Sequence, residues 1–379
     1  MRVIISAGGT GGHIYPALAI LNKIKERDPQ AEFLYIGTHN RMEKDLIPEL
    51  GIKYLPLEVT GFNRKKIFNN FKTLSLYLKA KNRCKKIIQE FEPDVVIGCG
   101  GYVTAPVIKA AFKMKIPTFI HEQNSIVGLS NKFLAKYATK IGVSFESTVN
   151  MFPKDKAIYT GNPCSEKAYN IKSASKSEFG LSTNKKLVLI VMGSLGSSSV
   201  NDKIVAMLDK FATKDYEVVF VTGNSYYEKI KNIKVKANIK ILPFIYEMPR
   251  LMKITDVIIS RAGASTMSEI MALAIPTIFI PSPYVPNNHQ FKNAYLQCIL
   301  FTKIVIMYFN FCFTDITINK LCYFVLHTYK SRNVDHHSPM RFRISSKISY
   351  SIGDKKRCYS FFKALRYELH FILAFVLQR

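Results

Sequence analysis

Through the first 297 residues, short apolar runs alternate with longer segments of helical spacing. The runs are Val3–Ala7, Phe33–Ile36, Val95–Ile97, Thr118–Ile120, Leu187–Val191, Val218–Val221, Val257–Ile259 and Thr277–Ile280. Each has Gly, Pro, Asp or Asn at or near an end. Between them lie Tyr15–Arg27, Ile67–Glu90, Val200–Phe211 and Thr266–Leu273, whose apolar residues recur at steps of three and four. A strand without polar alternation must be covered on both faces, and parallel strands need crossover helices. The pattern therefore predicts an α/β chain with parallel, doubly wound sheets. Two such series meet near Gly161-Asn162-Pro163, and the polar run Ser165–Ser182 reads as the linker. Doubly wound halves place ligands at the carboxyl ends of their strands, where the strand order reverses.

Composition narrows what could bind there. With 48% hydrophobic and 21% charged residues among 379, wholesale disorder is excluded. A net charge of +27 points to anionic partners: nucleic acid, acidic lipid headgroups or phosphorylated substrates. The seven cysteines include no CxxC pair, which reads as free thiols in a reducing compartment. The start, MRVIISAGGTGG, reaches glycine too soon for a signal-peptide apolar region, so a secreted protein is not expected.

Three glycine clusters follow predicted strands: Gly8-Gly9-Thr10-Gly11-Gly12-His13, Gly98-Cys99-Gly100-Gly101-Tyr102 and Gly193-Ser194-Leu195-Gly196. Each lies where a strand turns into a helix, so backbone N–H groups can face an anion. None has the Gly-Lys-Ser/Thr of a Walker A loop, and counting from Gly9 puts Ile14 where the dinucleotide fingerprint needs its third glycine. Tight βα turns without a ligand remain the alternative reading.

Gly8 through Ala19 resembles the opening of the MurG family, glycosyltransferase family 28. The resemblance continues through Gly98–Tyr102, through His121-Glu122-Gln123-Asn124 with Gly128 and Asn131, and through Gly161-Asn162-Pro163. It then takes in Gly193–Gly196, Ser260–Glu269, and Pro281 through Asn288-His289-Gln290 to Ala294. These motifs stand in family order. The resemblance implies a GT-B fold, two Rossmann-like domains facing a cleft: residues 1–163 bind the acceptor and associate with the membrane, and 164–297 bind the UDP-sugar. It implies inverting transfer of N-acetylglucosamine from UDP-GlcNAc to lipid I, giving lipid II in peptidoglycan synthesis. A related GT-B enzyme acting on diacylglycerol, and an inactive nucleotide-sugar-binding remnant, are the alternatives.

Site residues follow from the same resemblance. Gly263, Ala264, Ser265 and Thr266 open a helix where a diphosphate would meet N–H groups and a positive dipole end. Arg261 would neutralise its charge, unless it is an ordinary surface cation. Glu269, one turn on, would bind the ribose hydroxyls, or else is a solvated helix charge. Ser194, Ile245 and Gln290 contact nucleotide or sugar by family position, and Thr10, Gly11, Gly12 and Asn124 complete the donor site. Gly9, Gly100, Gly101 and Tyr102 would take the acceptor diphosphate. The acceptor hydroxyl needs a base, for which His13 is the first candidate and Glu122 the second. No Asp-x-Asp stands in a comparable place, so neither metal nor other cofactor is expected.

Residues 62–86 interleave Phe62, Ile67, Phe68, Phe71, Leu74, Leu76, Tyr77 and Leu78 with nine Lys and Arg. This suits a peripheral helix on anionic lipid at the cytoplasmic face of the membrane, or equally a core helix with a solvated basic face. With no recognised module and no Trp, nucleic acid is not expected as a partner.

Some positions depart from the family pattern: Cys164-Ser165 replace Val-Arg, Phe291 an acidic residue, and Ile275 a glycine. After Ala294 the motifs end. Residues 298–379 hold one of the 19 glycines and one of the 16 prolines, but 16 aromatics and four cysteines. Such a tail cannot punctuate itself into βα units and resembles a shifted, AT-rich reading frame. A membrane-associated extension is the rival, although Ile299–Phe313 is too short and interrupted to span. Re-sequencing codons 285–310 should reveal a frame change that restores family sequence; an intact, expressed tail would overturn that expectation.

Overall fold

The computed structural model describes residues 1–61, 70–193, 196–300 and 304–306. The chain divides into two compact units, Met1–Lys167 and the residues from Ala168 on. The division falls within the helix Pro163–Asn170, inside the polar stretch read as a linker.

The first unit is built on seven parallel strands: β1 (Arg2–Ser6), β2 (Glu32–Thr38), β3 (Lys53–Leu57), β4 (Val95–Gly98), β5 (Thr118–Glu122), β6 (Lys140–Val143) and β7 (Ala157–Tyr159). Their order is β3-β2-β1-β4-β5-β6-β7, so the direction of winding reverses between β1 and β4. Ile4 pairs with Leu34 on one side and Val96 on the other. In the second unit, β8 (Leu187–Val191), β9 (Glu217–Val221), β10 (Ile239–Leu242), β11 (Val257–Ser260), β12 (Thr277–Phe279) and β13 (Ile304–Ile306) follow the order β10-β9-β8-β11-β12-β13. Here the reversal lies between β8 and β11. Both units are doubly wound parallel sheets, as the apolar runs predict.

Neighbouring residues of one strand feed different cores. Ile4 joins the layer on one face of the first sheet, while Val3 and Ile5 join the other. In β8, Val188 and Ile190 pack on one side, and Leu187, Leu189 and Val191 on the opposite side. Each fully buried aliphatic side chain contributes about 1.5–3 kcal/mol. A polar residue at either register costs free energy unless it finds a partner, which is why these runs are predominantly apolar. Thr118 and Thr277, where they do occur, donate to the Tyr137 and Ile275 carbonyls.

Five strands are not among the predicted runs, and four of them (β3, β7, β10 and β13) are the outermost strands of their sheets. Outer strands tolerate mixed sequence because they are less enclosed: Ile158 and Tyr159 of β7 are exposed. The predicted helix Val200–Phe211 is broken into Ser198–Val205 and Leu208–Ala212. The helix His289–Leu300 and β13, paired to β12 with Phe279 opposite Ile306, carry the second unit past residue 297. The expected start of the atypical tail, 298, falls within that helix; the tail from 307 on lies outside the described residues.

Gly196 follows β8 at φ +70°, and a Cβ there would collide with the carbonyl oxygen of Thr222. Gly196→Ala should therefore destabilise the fold by more than about 1–2 kcal/mol, the left-handed penalty alone. Urea unfolding measures this, and an unchanged midpoint would refute the turn geometry.

Candidate functional site

In the first unit, the two glycine loops that flank the reversal point are joined. β1 runs into Gly8–Gly12 and the helix Gly11–Arg27, and β4 into Gly98–Tyr102 and the helix Thr104–Lys113. The Gly8 N–H donates to the Gly100 carbonyl at 3.3 Å. Thr104 Oγ1 donates to the same carbonyl at 2.8 Å. Thr10 and Gly12 are exposed, Gly11 is buried, and no acidic side chain stands in this first helical turn.

His13 is half-buried, with Nδ1 3.1 Å from the Gly8 carbonyl oxygen. A carbonyl can only accept, so Nδ1 carries the hydrogen, and in the neutral ring Nε2 carries the lone pair. The ring lies against Gly100, where a Cβ would come within 2.6 Å of His13 Cδ2 and 3.0 Å of Nε2. Gly100 thus lies against this imidazole, Gly101 packs on the Gly8 backbone, and Tyr102 is half-buried.

Glu122 and its neighbours form a second polar group at the end of β5. Its carboxylate is 2% exposed. Oε1 accepts from the Asn124 N–H at 3.0 Å and Asn124 Nδ2 at 3.3 Å; Oε2 accepts from the Gly128 N–H and Asn131 Nδ2, both at 2.9 Å. The sequence marks Glu122 as a candidate base, whereas the geometry engages both its oxygens in shaping the loop 122–131. Gln123 Nε2 donates to the Cys99 carbonyl at 2.8 Å, and Ser130 Oγ to that of Gly101 at 3.0 Å, bracing this loop on the second glycine loop. His121 is enclosed: Nε2 is 3.1 Å from the Gly161 carbonyl oxygen and Nδ1 is 3.2 Å from Gln123 Nε2. Burial pushes its imidazole down to about 4, against a smaller upward pull from the Gly161 hydrogen bond.

The sequence reading passed over Glu43. It is 0% exposed and accepts the Gly9 N–H from behind the first loop, at 3.3 and 3.2 Å. A signal was present: Glu43 shares the buried stripe of the helix Glu43–Glu49 with Leu46 and Ile47, at steps of three and four.

In the second unit, the reversal point again collects candidates. Arg261, just after β11, is 8% exposed. It donates to the Ile280 carbonyl at 3.0 Å and to Ser197 Oγ at 2.6 Å. Burial lowers its guanidinium to about 10, so it stays cationic at neutral pH. Among the described residues no carboxylate pairs with it. A buried cation without a counter-ion strongly favours an incoming anion. Directly after it, Gly263 leads the helix Ala264–Ala272, whose opening residues include Ser265 and Thr266, with Glu269 half-buried one turn on. Asn293, fully buried, donates to the Ala262 carbonyl at 3.4 Å, and Gln290 Oε1 accepts the Ser282 N–H at 2.7 Å. Ile245 packs on the apolar core behind this region. Ser194 lies outside the described residues.

The helix Asn70–Phe91 combines the two readings made of its sequence. Its later half packs inward through Ala80, Cys84, Ile87, Ile88 and Phe91, while Phe71, Leu74 and Leu78 form an exposed stripe, with Phe71 74% exposed. Phe62, Ile67 and Phe68 lie outside the described residues. On the same unit, Lys109 stands over the rings of Tyr77, Phe133 and Tyr137, and Lys136 over the latter two. Lys81 is lowered by desolvation first, then by Lys113, Lys109 and Lys85. No described helix is long and apolar enough to cross a membrane.

Comparison with known proteins follows these lines. The glycosyltransferase family 28 N-terminal domain matches residues 3–143, and the family's C-terminal domain matches residues 187–308. That second match runs past Ala294, where the sequence motifs end, and takes in β13. The chain is 49% identical over 299 residues to the UDP-N-acetylglucosamine–N-acetylmuramyl-(pentapeptide) pyrophosphoryl-undecaprenol N-acetylglucosamine transferase of Bacillus subtilis, covering 78% of this chain and 82% of that one. The protein of the same name from Bacillus pumilus is 48% identical with the same coverage. Among solved structures, Acinetobacter baumannii MurG aligns with a TM-score of 0.59 at 27% identity, over 81% of this chain and 86% of that one.

His121 makes the stability of the first unit depend on pH. Its folded value of about 4 lies below the ordinary 6.5, so the unfolded chain binds the extra proton. Stability is unaffected by this group above pH 6.5, falls as pH drops from there toward 4, and at pH 5 has lost about 2 kcal/mol. Urea titrations at pH 7 and 5 should show that loss, and His121→Asn, destabilised throughout, should lose this part of the slope. An equal slope in both proteins would refute the assignment.

Proposed function

Because the chain belongs to glycosyltransferase family 28, we propose that it moves N-acetylglucosamine from UDP-GlcNAc to lipid I, forming lipid II for peptidoglycan. The observation that carries this reading is the buried Arg261 cation at the reversal point of the second unit, beside the start of the helix Ala264–Ala272. A diphosphate supplies the missing counter-charge and meets the N–H groups and dipole of that helix. Gly263, Ala264, Ser265 and Thr266 then cradle the diphosphate, while Glu269 accepts from the ribose hydroxyls. Ser194, Ile245 and Gln290 complete the pocket for nucleotide and sugar, and Thr10–Gly12 and Asn124 are further donor-binding groups.

The first unit takes the acceptor, its diphosphate lying on Gly9, Gly100, Gly101 and Tyr102. His13 Nε2 removes the proton from the acceptor hydroxyl, whose oxygen attacks the anomeric carbon as UDP departs. The configuration inverts in this single displacement. Arg261 and the helix dipole stabilise the charge developing on UDP, the part electrostatics plays in many transfers. Glu122, bonded by four donors, holds the shape of the acceptor loop rather than the proton.

The exposed Phe71, Leu74 and Leu78 and the lysines around Tyr137 suit a peripheral position on anionic lipid at the cytoplasmic face. There the enzyme meets both a lipid-linked acceptor and a soluble nucleotide sugar.

A transfer assay with labelled UDP-GlcNAc and a lipid I analogue, with EDTA present, should show product. His13→Ala should lower turnover about 10²–10⁴-fold and leave UDP affinity nearly intact. If His13→Ala turns over normally while Glu122→Gln, folded by circular dichroism, does not, the base is Glu122.

A further inference from the structure

We infer that Glu43 is a positioning residue for His13, acting through the single peptide group that joins Gly8 to Gly9. This rests on the assignment of His13 as the base. The carbonyl of Gly8 and the N–H of Gly9 are the two ends of one trans peptide and point in opposite directions. At one end, the Glu43 carboxylate accepts the Gly9 N–H, at 3.3 Å to Oε1 and 3.2 Å to Oε2. At the other, the Gly8 carbonyl oxygen lies 3.1 Å from His13 Nδ1. Carboxylate, amide and imidazole thus form one line of hydrogen bonds. Negative charge at the N–H end draws electron density onto the carbonyl oxygen, and that oxygen holds the Nδ1 hydrogen. The line fixes the tautomer whose lone pair sits on Nε2, and it stabilises the imidazolium formed when Nε2 takes a proton.

The chain is built around this contact. The carboxylate is held in place by the Thr38 N–H at 3.0 Å and Thr38 Oγ1 at 2.5 Å. Glycine is required beside it twice. A Cβ on Gly8 would strike the Glu43 carboxylate, and a Cβ on Gly37 would come within 2.7 Å of Glu43 Cγ. Gly9, at φ +95°, takes the conformation that turns its N–H inward. Among the described residues no cation pairs with Glu43, so its charge is stabilised only by these donors. Packing alone would be served better by an uncharged side chain, since burying a carboxylate is costly.

Few other groups around this peptide change charge near neutrality. Tyr35 and Cys99 are buried and Tyr54 half-buried, and desolvation pushes all three above their ordinary values, Cys99 to about 12. Tyr54 also donates to the Thr38 carbonyl. Asp45 and Lys44, on the helix of Glu43, are exposed. In the transfer itself the hydroxyl O–H bond breaks and the Nε2–H bond forms. The oxygen bonds to the anomeric carbon, and UDP leaves with its electron pair. Nδ1 keeps its hydrogen, still donated to the Gly8 carbonyl, and Glu43 takes no part in the proton transfer.

The test compares the full chain, Glu43→Gln, His13→Ala and the double variant with UDP-GlcNAc and a lipid I analogue. Glu43→Gln should lower kcat about tenfold and move the acid limb of the kcat/KM profile down by about one pH unit, as loss of a nearby negative charge does. KM for UDP-GlcNAc should not move, and in the His13→Ala background Glu43→Gln should have no further effect. An unshifted pH profile, or an equal loss with and without His13, overturns the inference while leaving His13 as the base. Full activity of His13→Ala overturns the base assignment and this inference with it. Should Glu43→Gln fail to fold, nitrogen NMR of the unmodified protein decides: neutral His13 protonated at Nδ1 supports the inference, and protonation at Nε2 overturns it.

Discussion

A parallel strand buried on both faces leaves its backbone polar groups unpaired chiefly at its ends, and both units are organised by that constraint. Within β1 and β8, the ladder to a neighbour on either side satisfies the main chain, and aliphatic side chains fill both faces. Where the winding reverses, between β1 and β4 and between β8 and β11, the crossover helices diverge. The loops there must turn sharply and offer N–H groups to whatever enters. Gly8–Gly12, Gly98–Tyr102, the turn at Gly196 and Arg261–Thr266 all stand at such ends. Chemistry is confined to them because the rest of each sheet is closed to water.

Three ionisable groups near these ends, Glu43, Glu122 and Arg261, are buried, and each is satisfied in its own way. Glu43 and Glu122, at 0% and 2% exposure, collect N–H and hydroxyl donors from loop and strand ends. Among the described residues Arg261, at 8%, has only a carbonyl and a hydroxyl as acceptors. Hydrogen bonds to a charged group are each worth about 1.5–3 kcal/mol, enough for several together to offset the loss of water. The carboxylates therefore fix loop shape, and the guanidinium retains capacity for an anion. Ion pairs such as Lys23–Glu166 and Arg250–Glu178 lie at the surface, where pairs contribute about 0–1 kcal/mol. What sets the site geometry is charge held by neutral donors, not charge held by charge.

The helix Asn70–Phe91 shows one element meeting two environments. Residues from Ala80 onward complete the core of the first unit, while Phe71, Leu74 and Leu78 spend apolar surface on solvent. That exposed apolar stripe is the feature that the proposed peripheral contact with anionic lipid would use.

Much of this was legible from residues alone, and the limits have physical causes. The central strands β1, β4, β5, β8, β9, β11 and β12 could be read because two-sided burial makes most of their residues apolar, the buried polar ones such as Ser6, Glu122, Glu217 and Ser260 falling at strand ends. The glycine loops could be read because positive φ or close contact bars a side chain at several of their positions, as at Gly9 and at Gly100 against His13. The outer strands β3, β7, β10 and β13 escaped notice, since one neighbour and partial cover place weaker demands on sequence. Glu43 looked like any helix charge; its role arises only when β2 and the helix after it set its carboxylate behind Gly9, 34 residues away in the chain. His13 stood first and Glu122 second as candidate bases by residue type and position; only the fold shows that both Glu122 oxygens accept hydrogen bonds and that His13 Nδ1 faces the Gly8 carbonyl. Residue type and local spacing determine which strands are buried and where backbone can approach an anion. Which charges are buried, and which proton sits on which nitrogen, was decided by the tertiary structure, because those depend on donors brought together from distant parts of the chain.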